Sequence, residues 1–144
     1  MGENQVPAWG ESADPILELL TRHADQLGRT SQEITLYLPG IVVVGRVAGA
    51  SRWFQTQAEL AEVEAKGEDP TLLAMSAMQE TLAEEAQAVA QAAPQYPSGS
   101  PPSLIHVEVQ AIWVGALKLT PSFPCVWRGK LSQVVGWNYG AIGL

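Results

Sequence analysis

The chain has 144 residues, of which 47% are hydrophobic, and its formal net charge is −7. A chain of this length forms one domain with a packed core. Its single cysteine, Cys125, excludes an internal disulfide and fits a reducing compartment. Because it shows no signal peptide and no apolar run of the ~20 residues that span a bilayer, the sequence predicts a cytoplasmic protein without membrane insertion. It also lacks a basic stripe, which argues against nucleic acid as a partner.

Residues 1–13 are predicted to form a flexible arm, and a helix is predicted to start at Asp14–Pro15. Aspartate caps free N–H groups, and proline at the first helical position loses no hydrogen bond. Gly28 ends the helix, because glycine adopts the left-handed conformation found there. Residues spaced by three and four predict one apolar stripe, formed by Ile16, Leu19, Leu20, His23 and Leu27.

From Glu33 the apolar period changes to two, which is typical of strands. Ile34, Leu36 and Leu38 are expected on one face of the first strand. The turn dipeptide Pro39–Gly40 then predicts a hairpin. In the second strand Gly45 indicates a bulge or a sharp bend.

Residues 51–93 are predicted to form an acidic insertion of two helices, with eight acidic residues against Arg52 and Lys66. Ser51 is the predicted cap of the first helix, and Asp69–Pro70 starts the second. The second helix carries a thin apolar seam, expected to pack against the first helix or the sheet; the alternative is a partner-binding helix. The seam consists of Met75, Met78, Leu82, Ala86, Val89 and Ala93.

A proline-rich connector over residues 94–103 precedes the strand LIHVEVQAIWVG. Its alternation places one set of side chains on a common face: Ile105, Val107, Val109, Ala111 and Trp113. LTPSFP is interpreted as a turn, and two short strands end the chain. The predicted fold class is α+β over residues 14–144: a small antiparallel sheet or Sm-like partial barrel, with an N-terminal helix and a two-helix insertion.

Candidate catalytic residues are few. Cys125 with His106 and Glu108 is the one nucleophile–base set that can be assembled, and it lacks a family signature. The histidines and the cysteine do not have zinc-site spacing, and no phosphate-binding loop is present. The sequence therefore predicts a non-enzymatic protein without cofactor or metal, and a hydrolase using Cys125 remains an alternative.

Two resemblances bear on function. The step Val44–Gly45–Arg46 and the later Arg128–Gly129 resemble the layout of Sm-like barrels, which often bind RNA in rings. Fold-level likeness says little about function by itself. This resemblance leaves an Sm-like binding module for RNA or a small ligand as the alternative function.

Four stretches carry the second resemblance, to gas vesicle accessory proteins of the GvpU family. They are the hairpin ITLYLPGIVVVGRVAGA, the pair Trp53–Phe54, the strand LIHVEV and the ending VWRGKLSQVVGWNYG. The likeness covers most of residues 33–143. The family's C-terminal pattern is matched here by Trp127, Arg128, Gly129, Lys130, Leu131, Val134, Gly136, Trp137 and Gly140.

This resemblance implies a non-enzymatic accessory protein, cytoplasmic and associated with gas vesicles, that modulates vesicle assembly or clustering. The implied partners are the protein itself, as a homo-oligomer or higher assembly, and the gas vesicle shell or other gas vesicle proteins. Nucleic acid, membrane insertion and cofactors are not implied. The small apolar shell protein itself would be shorter and more apolar than this chain.

The C-terminal aromatic residues allow two interpretations. In the structural one, Trp127, Leu131, Val135 and Trp137 share one side of an antiparallel pair next to Trp113, because buried aromatic side chains stabilise a small sheet. In the other, exposed aromatic residues contact a neighbouring copy or a vesicle, with a small basic spot facing the neighbour's acidic helices. The predicted interaction residues are Trp127, Arg128, Lys130, Trp137 and Tyr139.

Overall fold

A computed structural model describes residues 14–92 and 102–142, so the predicted arm (1–13) and most of the connector lie outside the described residues. Three α-helices lie within them: α1 Pro15–Leu27, α2 Ala50–Ala65 and α3 Pro70–Ala92. The strands are β1 Arg29–Leu38, β2 Ile41–Ala48, β3 Leu104–Val114, β4 Leu117–Leu119, β5 Val126–Lys130 and β6 Gly136–Tyr139. The predicted α+β class, with an N-terminal helix and a two-helix insertion, is confirmed.

All the strand pairs of the described sheet are antiparallel. The order is β4–β3–β2–β1–β6, and β5 pairs with the first half of β3 while β4 pairs with its end. The predicted hairpin turns at Pro39–Gly40, where Gly40 has a φ of 82°. The expected pairing of the two final strands was wrong: the long strands β1, β2 and β3 occupy the centre, which leaves β5 and β6 at opposite edges.

The connection between β5 and β6 requires the sheet to be curved. In a flat sheet β5 and β6 would lie four strand spacings apart, about 19 Å. The chain from Lys130 to Gly136 includes the 3-10 turn Leu131–Gln133 and therefore reaches only about 16 Å. The sheet must bend to bring its edges within this distance, although the described strands do not close into a barrel.

Helix α1 begins and ends where the sequence predicts. The Asp14 carboxylate accepts a hydrogen bond from the amide of Ile16 at 2.8 Å, and Gly28 has a φ of 92°. The predicted apolar stripe was wrong, however, because the buried residues are Leu17, Thr21 and Ala24. The apolar side chains of this helix span an arc of about 160°, from Leu19 through Ile16 to Leu17, so spacing alone did not select the part of that arc that faces the sheet. Most of the predicted stripe is exposed, namely Ile16, Leu19, His23 and Leu27.

One face of the sheet, the core face, packs against α1. The buried residues of its hydrophobic cluster are Leu17, Ala24, Ile34, Leu36, Val43, Val47, Ile105, Val107, Val109 and Leu131. The opposite face, called the outer face, is partly covered by the start of α2. Among the described residues, neither α2 nor α3 contributes a buried side chain to the core cluster.

The bulge predicted at Gly45 is confirmed. Val44 pairs with Ala111 while Gly45 pairs with Val109, so Gln110 is the extra residue of β3. The bulge reverses the alternation after it. Ile112 therefore packs against the core cluster, and the prediction that Ala111 and Trp113 lie on the core face was wrong.

Helices α2 and α3 form an antiparallel hairpin that packs through small residues. The Ser76 hydroxyl donates to the carbonyl oxygen of Ala58 at 2.8 Å, and Asp69 caps α3 as predicted, accepting from the amide of Thr71 at 3.0 Å. The predicted cap Ser51 was wrong. Gly49 occupies the cap position of α2, and Asp25 of α1 accepts the amide of Ala50 at 2.9 Å.

The expected packing of the apolar seam of α3 was also wrong. Met75 is exposed, as are Met78 and Val89, with 64% and 71% of their surfaces accessible. Small side chains such as Ser76 and Ala83 make the contact with α2 instead, because they allow the two helices to approach closely. None of the described helices is both long enough and apolar enough to cross a membrane.

Candidate interaction surfaces

A cluster of charged residues around Glu108 attaches the start of α2 to the outer face of the sheet. One carboxylate oxygen pairs with Arg29 of β1 at 2.9 Å, and the other pairs with Arg52 of α2. Glu108 lies on β3, directly opposite Arg46 of β2, whose guanidinium approaches Glu33 at 3.9 Å. Three of the chain's cations are therefore engaged by carboxylates of the same chain.

Arg128, one of the predicted interaction residues, contacts two aromatic side chains of α2. Its guanidinium lies 4.4 Å from the ring centre of Trp53 and 5.5 Å from that of Phe54. Such cation–π contacts attach a helix to a strand without pairing the cation with a carboxylate. Lys130, the neighbouring cation on the same face of β5, is exposed.

His106 lies beneath this cluster and is 3% exposed. Its ring is tilted against that of Trp53, with 6.2 Å between centres. Neither of its nitrogens has a hydrogen-bond partner among the described residues. Burial, and then the charge of Arg128, lower the pKa of His106 to about 4, so the ring is neutral near pH 7.

The structure separates the candidate catalytic set. Cys125 packs against the core cluster, opposite Val109, whereas His106 and Glu108 lie on the outer face. Burial raises the pKa of the Cys125 thiol, which disfavours the reactive thiolate. In the part of the chain that the structure describes, no group of three or more His, Cys, Asp or Glu could hold a metal ion.

The other predicted interaction residues occupy both edges of the sheet. Trp127 is partly buried on β5, and its ring lies over Gly129, where a Cβ would collide with it. Trp137 on β6 donates its Nε1–H to the Asp14 carboxylate at 3.0 Å. Tyr139 packs edge-to-face on Trp137 at 4.9 Å and is exposed.

An exposed apolar surface, the hairpin surface, lies at the end of the sheet where β3 turns into β4. Its residues are Val114, Leu117 and Leu119. The register places Val114 opposite both Ile41 and Leu117. The core face therefore continues past the end of α1 as uncovered apolar side chains.

Strand β4 of this hairpin surface was not predicted. The segment LTPSFP, interpreted as a turn, overlaps β4 only at Leu119, and no element was predicted for residues 116–118, although Leu117–Leu119 pairs with β3. The available signal was the pair Gly115–Ala116 between two alternating apolar segments, which is typical of a two-residue hairpin turn. Gly115 has a φ of 61°, as such turns require.

A groove of about 460 Å³ opens between the three helices at the end of the sheet where α2 starts. Its walls include apolar residues of α3 and α2, and Arg22, Asp25 and Glu85 are charged residues at the groove. Burial raises the pKa of Asp25, against the opposing effects of the Ala50 amide and Arg22. The apolar lining includes Phe54, Leu82, Ala86, Val89 and Pro102.

Residues 14–142 match the family described as "Gas vesicle protein GvpU-like". This match covers nearly the whole chain, including all the helices and strands described above. The chain belongs to the GvpU-like family. No curated protein and no solved structure matches it. The family resemblance predicted from the sequence is thus confirmed, and the protein is a gas vesicle-associated protein by family.

In this GvpU-like protein the residues that carried the resemblance have structural roles. Trp127 and Gly129 pack against each other, and Leu131 is buried in the core where the chain crosses between the sheet edges. The guanidinium of Arg128 packs over the rings of Trp53 and Phe54. The family pattern therefore specifies how the C-terminal strands and α2 attach to the sheet.

Proposed function

We propose that this GvpU-like protein is a non-enzymatic, cytoplasmic accessory protein that modulates gas vesicle assembly or clustering through self-association and protein–protein contacts. The observation that carries the proposal is the hairpin surface. Contiguous exposed apolar side chains on a soluble protein mark interaction sites. The separation of Cys125 from His106 supports a role without catalysis.

The chemistry of the hairpin surface favours association with protein. From Val109 to Cys125 the only charged residue is Lys118, whose ammonium lies over the Trp113 ring at 5.6 Å. Strand β4 is also at the end of the described strand order, so its outer backbone groups are available to another strand. Apolar side chains and a strand edge together suit a second copy or a vesicle protein.

The C-terminal residues form part of the same proposal. Tyr139 and Trp137 offer an aromatic contact at one edge of the sheet, and Lys130 offers a charge at the other. Two contact sites on opposite edges of one molecule can link copies into open chains or networks. Arg128 contributes indirectly, by keeping α2 attached next to Lys130.

Light scattering across protein concentration tests the proposal, using Leu117→Ser and a matched control. Leu117 is 61% exposed and Leu27, at the end of α1, is 65% exposed. We expect particle size to grow with concentration for the natural chain and for Leu27→Ser, and growth to be reduced for Leu117→Ser. Co-sedimentation with isolated gas vesicles should likewise be reduced for Leu117→Ser and unchanged for Leu27→Ser.

Two outcomes would contradict the proposal. One is a species of fixed size at every concentration that does not sediment with vesicles. The other is equal growth for both variants, which would exclude the hairpin surface as the contact.

A further inference from the structure

We infer that the attachment of the α2–α3 hairpin to the sheet depends on the protonation of His106. The hairpin stays attached while this ring is neutral, and it opens when the ring takes up a proton. Opening uncovers the part of the outer face that lies under the start of α2. Three observations carry this inference: the enclosure of the ring, the charges around it and the limited contacts that hold the hairpin.

The start of α2 covers the His106 ring. The ring lies on the outer face of β3, opposite Ala48 of β2 and Arg128 of β5. Trp53 of α2 packs against it, with ring centres 6.2 Å apart, and only 3% of the histidine surface is accessible. Since β2 and β5 flank the ring within the sheet, α2 is the element that must move for water to reach it.

The enclosure offers nothing that binds a protonated ring. Among the described residues, neither Nδ1 nor Nε2 of His106 has a hydrogen-bond partner. A neutral imidazole leaves one donor and one acceptor unsatisfied there, whereas an imidazolium leaves two donors and a charge. Burying a charge without a partner costs far more than burying a neutral polar group. A protonated His106 is therefore more stable in water than under Trp53.

The charged groups around the ring oppose a proton on it. Arg128 is the residue of β5 opposite His106, and Arg52 is the cation that α2 brings to this part of the sheet. Glu108 lies two residues along the same face of β3, but its two oxygens already pair with Arg29 and Arg52. Burial, and then the charge of Arg128, account for the low pKa of His106.

Few contacts hold the hairpin besides those at this ring. Among the described residues, α2 and α3 add no buried side chain to the core cluster. Helix α2 reaches the sheet through Arg52, Trp53 and Phe54, and Trp53 is the residue that covers His106. A proton on His106 therefore acts directly on a main contact between hairpin and sheet. An element held in this way opens at a lower free energy than the core strands.

The sign of the pH dependence follows from the two forms. With the hairpin attached the pKa of His106 is about 4, and in the open form the ring is in water with the ordinary pKa of 6.5. Above pH 6.5 both forms are neutral and the attachment has its full stability. Below it the open form takes up the proton first, so opening becomes more favourable as the pH falls. From pH 7 to pH 4.5 the opening equilibrium constant should rise about fiftyfold.

Hydrogen exchange resolved by mass spectrometry at pH 7 and pH 4.5 tests the inference, with exchange times scaled for the intrinsic amide rate at each pH. His106→Phe and His106→Gln both remove the titrating group, so a ring that overfills the site does not spoil the test. His23→Phe is the matched control, since His23 is the chain's other histidine and is exposed.

In the natural chain and in His23→Phe, we expect the protection of α2 and α3 to fall about fiftyfold between the two pH values. It should also stay below the protection of β1, β2 and β3 at both. In the two His106 variants most of this fall should disappear.

Three results would each overturn the inference. An equal fall in the His106 variants would assign the effect to other groups, such as the carboxylate of Glu108. Protection of α2 and α3 that does not change with pH, while that of the strands falls, would mean that His106 reaches water only when the sheet unfolds. Equal protection of hairpin and strands at both pH values would mean that they open as one unit.

Discussion

Gly45 controls the approach of β2 to β3 at the centre of the sheet. A Cβ at this position would collide with the backbone carbonyl of Glu108 and with a methyl group of Val107. Backbone atoms in a paired strand cannot move aside cheaply, so this glycine is required by space rather than by its own dihedral angles. The bulge beside it sets which face each later residue of β3 occupies.

Gly45→Ala is expected to lower the free energy of unfolding by about 2–4 kcal/mol, because one strand must shift to admit the methyl group. Gly136→Ala is the matched control, since its Cβ would meet Tyr37 at an ordinary 3.6 Å. Urea unfolding followed by tryptophan fluorescence measures both. Equal stability of the two variants would show that the close approach at Gly45 relaxes without cost.

His106 predicts a pH dependence of stability. Its native pKa of about 4 lies below the ordinary 6.5, so between these values the unfolded chain binds the extra proton. Stability is fully present above pH 6.5 and falls as the pH drops towards 4, by about 3 kcal/mol at most.

His106→Phe should remove this decline, and at pH 7 it should cost little, because no described residue hydrogen-bonds to the ring. The measurement is the difference between the unfolding free energies of the two proteins at several pH values. A difference that stays constant from pH 7 to pH 4.5 would show that His106 does not titrate as its burial indicates.

At the scale of elements, the α2–α3 hairpin is attached by few contacts. It adds no buried side chain to the described core cluster, and α2 reaches the sheet through Arg52 and Trp53. Elements outside the main core open at lower free energy than the core itself. The hairpin is therefore expected to open before the sheet unfolds.

Trp53→Ala should speed hydrogen exchange of α2 and α3 by about tenfold or more while leaving β1, β2 and β3 protected, because the contacts with Arg128 and His106 are lost. Trp113→Ala is the control, since that ring lies on the outer face of β3 near Lys118. Exchange resolved by mass spectrometry distinguishes the elements. Equal acceleration in the sheet would show that the hairpin and the sheet form one cooperative unit.

At the scale of the whole molecule, the net charge and the exposed apolar surface have opposite effects on association between copies. Copies with a charge of −7 repel at low ionic strength, while the hairpin surface favours contact between them. Both cations of β5, Arg128 and Lys130, are exposed, and Arg128 is also engaged within the chain by Trp53. Apolar contact should therefore dominate association.

Raising the salt concentration from about 10 mM to about 300 mM should increase the association of the natural chain, because screening weakens the repulsion between like-charged copies. Static light scattering at fixed protein concentration measures this. The head-to-tail contact suggested by the sequence, between the basic spot and the acidic helices, gives the opposite sign. A fall in scattering with salt would favour that contact.

The sequence by itself determined the three described helices, the strands β1, β2, β3, β5 and β6, the caps at Asp14 and Asp69, the bulge at Gly45 and the family. Most of these features depend on neighbours in sequence, through the hydrophobic period and the capping chemistry, and a glycine inside a strand is itself a local signal of a bulge. Local patterns also supplied two apolar helical stripes, but they did not decide whether a stripe faces the core or solvent.

Only the tertiary structure decided which apolar faces are buried, because burial depends on residues far away in the chain. It determined that α1 packs on the sheet through Leu17, it left Met75, Met78 and Val89 of α3 and the hairpin surface exposed, and it placed β5 and β6 at opposite edges. It also put Cys125 and His106 on opposite faces, since pairing register sets the face of each side chain. The candidate interaction surfaces arise from these long-range choices.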